Sequence, residues 1–204
     1  MKICAISDIH GVLIDIPECD VLCIAGDIVE LSIQRDSKRS KEWFEDKFVP
    51  WINKLPCKKV IVTPGNHDFL FFRERNYRQT LEKLTNDKFR LLVDELYEYE
   101  GITFYGTPWI TPIHWQTWAF EYDDTIVEPY KNIPQCDILI SHDSPNHNDY
   151  LDKNSTGKFK HHFFGHWHDG ISYGHLNQHN CSILSDSYML RENLKIVTID
   201  IDGN

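Results

Sequence analysis

The apolar positions of this chain fall into short runs rather than long ones. Residues 2–7, 20–25, 59–63, 137–140 and 159–164 are rich in Val, Ile, Leu, Phe and Cys, and polar or Gly-containing blocks bound them. Runs of that length and composition predict buried strands. Residues 102–105 predict another, and 89–93 and 96–99 are short apolar segments before it. Two stretches change period. In 41–55, Phe44, Phe48, Trp51, Ile52 and Leu55 recur at helical spacing, and Pro50 within it predicts a kinked or split helix. Residues 76–84 predict a second helix, with Tyr77, Leu81 and Leu84 on one face. The stretches 11–19, 34–40 and 146–160 are polar or carry Pro or Gly and predict loops. Residues 107–120 are aromatic and punctuated by Pro, the composition of a functional loop. Segments 182–190 and 194–201, joined through Arg191-Glu192-Asn193, leave no room for a helix and predict an antiparallel pair. The sheet is therefore expected to be mixed. No internal repeat or low-complexity tract interrupts the pattern.

Length and composition narrow the class. The 204 residues fit one domain, read as 1–204, with enough chain for a substantial core. Hydrophobic residues are 41% and aromatics 13%, a globular composition. The net charge of −10 offers no basic face, so strong duplex nucleic-acid binding is not expected. The six cysteines, Cys4, Cys19, Cys23, Cys57, Cys136 and Cys181, form no C-x-x-C pair. Cys4 and Cys23 sit inside apolar runs, which suits a reducing compartment. The chain enters its first strand at Lys2 without a signal-peptide h-region, and no apolar stretch approaches the ~18 residues of a membrane span. A cytoplasmic, soluble protein with no membrane partner is the expectation.

Chemistry gathers at the ends of the predicted strands. Asp8-Ile9-His10, Gly26-Asp27, Gly65-Asn66-His67-Asp68, Ser141-His142 and Gly165-His166-Trp167-His168 each follow an apolar run. In open α/β sheets the ligand crevice lies outside the carboxyl ends of the strands, so these blocks converge on one place. Asp8 and His10 are two apart, as are His166 and His168; in extended chain such residues point the same way and reach one ion. Every donor is a carboxylate, imidazole or amide. That set suits Mn, Fe, Zn or Ni, with Mg admissible, and does not suit a structural cysteine–zinc site. Seven donors predict a two-metal site for phosphoester hydrolysis, in which the ions lower the pKa of water and clamp both oxygens of an in-line displacement.

The order D-x-H, G-D, G-N-H-D, S-H, G-H-x-H resembles the calcineurin-like metallophosphoesterase superfamily, and the resemblance runs from Asp8 to His168. The stretches Gly26-Asp27-Ile28-Val29-Glu30-Leu31, Tyr105-Gly106-Thr107-Pro108-Trp109 and Gly165-His166-Trp167-His168-Asp169-Gly170 are similar to small metallophosphoesterase-domain proteins and class III cyclic-nucleotide phosphodiesterases. The resemblance implies an α/β, metallo-dependent phosphatase-like sandwich: mixed β-sheets, two of them facing, flanked by helices. It implies two divalent ions, with manganese first among them. Asp8, His10 and His168 would hold one, Asn66, His142 and His166 the other, and Asp27 would bridge them. A hydroxide between the metals would be the nucleophile.

His67 follows Asn66 directly and so should face substrate as the general acid. The resemblance points to Glu30 as the acid that orients its ring, and Asp68 is the alternative supporting group. Asn66 and Trp109 are candidate substrate contacts. Trp109, Trp115 and Trp118 form either a nucleobase-stacking wall or ordinary loop packing. His147 either touches phosphate or is exposed. Of His161 and His162, at least one should point away from the site. Lys153, Lys158 and Lys160 form a basic cluster that attracts an anion or is simply solvated.

The expected substrate is a small phosphoester, a nucleotide among the options, and a diester by the branch the sequence resembles. A phosphomonoesterase or a nuclease would use the same site. A non-catalytic interaction scaffold of the same fold is the reading from another class, and the intact ligand set argues against it. The oligomeric state leaves no mark on the sequence.

Overall fold

The structure, a computed structural model, describes residues 1–113, 116–122, 129–172, 177–192, 194 and 196–202. In chain order its elements are β1 (Lys2–Ile6), β2 (Val21–Ala25), α1 (Ser37–Trp43), a π-helical stretch (Phe44–Phe48), α2 (Val49–Lys54), β3 (Lys59–Thr63), α3 (Phe69–Arg73), α4 (Tyr77–Leu84), β4 (Phe89–Leu91), β5 (Glu95–Tyr99), β6 (Ile102–Thr107), β7 (Ile138–Ser141), α5 (Asp149–Ser155), β8 (His161–Phe164), β9 (Gln178–Asn180) and β10 (Val197–Asp200). The strands form two mixed sheets, ordered β10-β1-β2-β3-β4 and β5-β6-β7-β8-β9. Each sheet is parallel except at one edge, where β10 runs against β1 and β5 against β6.

Alternation along the strands builds the layers. Ile3, Ala5, Cys23, Ala25 and Ile61 pack against Phe104, Ile138, Ile140 and Phe163 of the other sheet, a dry interior between the two. The residues between them, Cys4, Leu22, Ile24, Val60 and Val62, belong to a second buried cluster with Phe44, Phe48, Ile52 and Leu81 of the helices. Strands covered on both faces lose their polar positions, and β2 is buried at every residue. Truncating one of the fully buried phenylalanines to Ala is expected to cost about 3–5 kcal/mol. Among the described residues no helix is long and apolar enough to cross a membrane.

The differences from the sequence expectation have local causes. The helix predicted over 41–55 begins earlier, at Ser37, because the Asp36 carboxylate accepts the N–H groups of Lys38 and Arg39 as its N-cap. It is not split at Pro50. The chain stays helical and widens into π turns just before the proline, with the Val49 N–H reaching the Phe44 carbonyl. The stretch 146–160 is not all loop: α5 lies within it, and the Asn148 side chain accepts the Leu151 N–H at its start. Among the described residues, segments 182–190 and 194–201 do not pair with each other. β10 crosses to β1, and among the described residues 182–190 makes isolated bridges, Ser7 with Ser182 and Leu184 with Leu190. Asn193, in their predicted link, lies outside the described residues. α3 and β9 were legible in no pattern of their own.

Candidate metal centre

Parallel pairing aligns the carboxyl ends of β1, β2 and β3 in one sheet and of β6, β7 and β8 in the other. The loops leaving them meet. The Gly165 N–H donates to the His142 carbonyl at 3.1 Å, and the His166 N–H donates to both oxygens of Asp8 at 3.1 Å.

The backbone there is not extended. Asp8, His10, Asp27 and His166 have φ of 53°, 40°, 54° and 66°, the left-handed region that non-glycine residues seldom occupy. The D-x-H block therefore does bring two side chains together, but by coiling at the strand end rather than by the two-residue alternation of a strand. Gly65 is required for a different reason. A β-carbon there would lie 2.3 Å from Asp27 Oδ1 and 2.6 Å from His142 Cε1.

Three groups of ligand atoms result: Asp8, His10 and His168; His10, Asp27 and His67; and Asp27, His142 and His166. Within each group the atoms lie within 4.8 Å of one another. Asp27 sits between them, with Oδ2 at 3.7 Å from His10 Nε2, 3.8 Å from His67 Nε2 and 3.4 Å from His142 Nε2. Asn66 Oδ1 lies 2.8 Å from His142 Nε2.

The donor set fits divalent cations. Both ring nitrogens of His10 are buried without a hydrogen-bond partner among the described residues, a costly state that a cation relieves. His142 Nδ1 faces the Ala25 carbonyl at 2.8 Å and His168 Nδ1 faces the Ser185 carbonyl at 3.2 Å. A carbonyl only accepts, so each Nδ1 carries a proton and each Nε2 turns to the centre, the usual way an imidazole is presented to a metal.

Electrostatics agree. Burial alone would raise Asp27, but His142 and His67 beside it hold its carboxyl well below the usual range. Burial would lower His142, and the Asp27 and Asp8 carboxylates override it and push it up to about 10. Burial dominates at His67 and takes it down to about 4.

Some predicted partners are elsewhere. Glu30 is not the group on the His67 ring: His67 Nδ1 makes a short contact with Gln34 Oε1, and the Glu30 side chain packs over Gly11. Gln34 falls in a polar stretch read as loop, so only the fold could find it. Asp68 does not reach the His67 ring either. Its carboxylate accepts the N–H groups of Gly65 at 2.8 Å, Ile28 at 3.0 Å and Val29 at 3.2 Å, and so ties the β2 loop to the β3 loop. Trp109, the candidate substrate contact, is buried outside the cleft lining, and its Nε1 donates to Asp94 at 2.6 Å.

Around His10, Asp27, Asn66, His67, His166 and His168 opens a cleft of about 250 Å³, walled by Ile113, Trp118, Trp167, Asp186 and Tyr188. Trp118 packs on the His67 ring at 4.5 Å. Trp115 lies outside the described residues. His147 is exposed and stacks on Trp167 at 4.1 Å. His162 is buried on Ser141, and His161 stacks on His179.

The profile of the calcineurin-like phosphoesterases matches residues 1–170. The chain belongs to the calcineurin-like phosphoesterase family. Among curated relatives it is 29% identical over 164 residues to metallophosphoesterase domain-containing protein 1 of Homo sapiens, covering 69% of this chain and 47% of the relative, with the same values for the Mus musculus protein. A UPF0046 protein of Caenorhabditis elegans is 25% identical over 242 residues, covering 94% of this chain and 58% of the relative. The chain thus spans about half the length of the curated relatives it matches. The two mixed sheets flanked by helices are consistent with the calcineurin-like fold. Members bind a dinuclear metal centre, and family and His/Asp clusters together support metal-dependent phosphoester hydrolysis as the general chemistry.

Proposed function

We propose that this chain is a phosphodiesterase with a dinuclear manganese centre, acting in the cytoplasm on a small phosphodiester such as a nucleotide derivative. The single observation that carries it is the placement of Asp27 Oδ2 among His10, His67 and His142, with the Asp8 group on one side and the His142–His166 group on the other. Asp8, His10, His168 and Asp27 would hold one ion; Asp27, Asn66, His142 and His166 would hold the second. Bound there, two divalent cations make water a nucleophile at neutral pH and neutralise phosphoryl oxygens.

The chain's own residues do the rest. The backbone N–H of His67 donates to Asp27 Oδ1 at 2.8 Å, which fixes the bridging carboxylate. Gln34 Oε1 holds Nδ1 of the His67 ring, leaving Nε2 toward the cleft; burial disfavours the charged ring, so the acid role requires the bound phosphoryl anion to raise it before Nε2 protonates the leaving oxygen. Trp118 covers that ring and keeps bulk water from it. Asn66, beside His67, contributes its amide to the phosphoryl side of the cleft.

The test is hydrolysis of bis-p-nitrophenyl phosphate and p-nitrophenyl phosphate side by side, first with chelator and then with added Mn²⁺. Metal-dependent turnover favouring the diester supports the proposal. Preference for the monoester makes the protein a phosphatase, and no turnover in protein shown to hold two metals removes the enzymatic reading for these esters.

A further inference from the structure

Two indoles wall the cleft, and they are built differently. Trp118 is 8% exposed and packs in the core beside His67, its ring tilted 45° to the imidazole. Trp167 is 44% exposed and meets His166 edge-on at 5.7 Å. An open indole beside a catalytic cleft would be unremarkable were it loose, but Trp167 is braced from beneath. The His147 ring stacks on it at 4.1 Å with the planes 23° apart. His147 Nε2 is held by Asp169 Oδ2 at 3.1 Å. The same carboxylate accepts Asn180 Nδ2 at 3.0 Å through Oδ1, and that amide also donates to the Trp167 carbonyl at 2.8 Å. Asn180 closes β9, so the brace is rooted in the sheet. None of these groups has a part in the chemistry above. Their joint effect is to hold one indole face packed and leave the remainder of the ring open at the rim.

Position selects the arm. His67 and Trp118 mark the end of the cleft where the leaving oxygen is protonated. Trp167 adjoins His166 instead. The cleft holds about 250 Å³, enough for the phosphoryl group and little more, so a large substituent must lie over the rim.

We propose that Trp167, supported by His147, is the stacking platform for a planar aromatic group on the ester arm that stays on phosphorus after hydrolysis. This rests on the phosphodiesterase reading, since a monoester has no such arm, and it names the substrate class as phosphodiesters whose retained arm carries an aryl ring or a nucleobase.

The experiment compares three diesters with one leaving group: methyl p-nitrophenyl phosphate, bis-p-nitrophenyl phosphate and thymidine 5′-p-nitrophenyl phosphate, on wild type, W167A and W167F. Stacking of one ring corresponds to roughly a tenfold effect or somewhat more. W167A is expected to lose about that factor in kcat/KM on one or both aromatic arms, to change little on the methyl ester, and to be largely rescued by W167F. A loss on the aryl ester identifies an aryl arm, and a loss on the thymidine ester a nucleoside arm. Equal losses on all three, or none, would overturn the proposal. Calorimetry with diphenylphosphinate and dimethylphosphinate, which carry no hydrolysable bond, separates this from the functional reading. Tighter binding of the diphenyl anion by wild type, abolished in W167A, supports the platform even where no ester turns over. Equal binding of the two anions overturns it even in an active enzyme.

Discussion

His67 Nδ1 and Gln34 Oε1 are hydrogen-bond partners, so the amide of a residue in a polar connecting segment sets the direction of the ring beside the metal-ligand cluster. Gln34→Ala frees that ring. It is expected to lower kcat by about tenfold on a diester with an alkyl leaving group and by less on one with p-nitrophenolate, because only the poor leaving group needs a proton. His67→Ala should follow the same pattern with a larger loss, about 10²–10⁴-fold on the alkyl ester. A leaving-group series on both variants checks it. A flat loss across the series would remove His67 from the acid role.

Asp68 is a structural carboxylate. It is fully buried and satisfies three backbone N–H groups on two loops. Asp68→Ala strands those donors, and each unsatisfied buried group costs about 1–3 kcal/mol. Urea unfolding should show a loss of about 3 kcal/mol or more, with metal binding weakened in step because the β2 and β3 loops carry Asp27 and Asn66.

Close approach at two glycines predicts intolerance. A β-carbon on Gly165 would stand 1.9 Å from Ser7 Oγ and 2.4 Å from Asp8 Oδ2. Gly165→Ala and Gly65→Ala should each lose more than the ~1–3 kcal/mol usual for overpacking, because the displaced atoms are the buried Ser7 hydroxyl and Asp8 carboxylate at the first and the Asp27 carboxylate and backbone at the second. Thermal unfolding with and without Mn²⁺ measures this. The metal-dependent rise in Tm should be smaller in both variants than in wild type.

His162 gives the fold a pH dependence of its own. Its ring is buried on Ser141 Oγ at 2.7 Å, and burial lowers its pKa to about 3. An unfolded His titrates near ~6.5. Between those values the unfolded chain takes up a proton that the folded chain refuses, so this stabilisation is complete above pH ~6.5 and is lost as the pH falls toward 3, by at most about 1.4 kcal/mol per pH unit. His162→Gln keeps a partner for Ser141 and cannot titrate. Urea unfolding at pH 7.5 and pH 5 should show a smaller acid loss in the variant than in wild type; equal losses would contradict the assignment.

Asp27→Ala removes the carboxylate shared by two of the ligand groups, and the expected result is no turnover and no Mn²⁺-dependent rise in Tm. For wild type, ligand at about 100 times Kd adds about 2.7 kcal/mol, a shift that calorimetric scanning resolves and chelator reverses.

The amino-acid sequence by itself determined the strands and the chemistry at their ends. β1, β2, β3 and β7 are short, mostly apolar runs because both of their faces are buried. Asp8, Asn66 and His142 were recognisable because the polar block follows each run immediately. Contacts between residues far apart in the chain were not legible. Nothing local distinguishes Gln34 from a solvated glutamine, or Trp109, turned inward to Asp94, from Trp167, turned outward on His147. β10 pairs with β1 across nearly the whole chain, because the β1 edge and the last strand are both unpaired until the sheet assembles. Local periodicity encodes burial, which each residue senses for itself. Partnership depends on which surfaces the two sheets bring together, and that was decided only by tertiary packing.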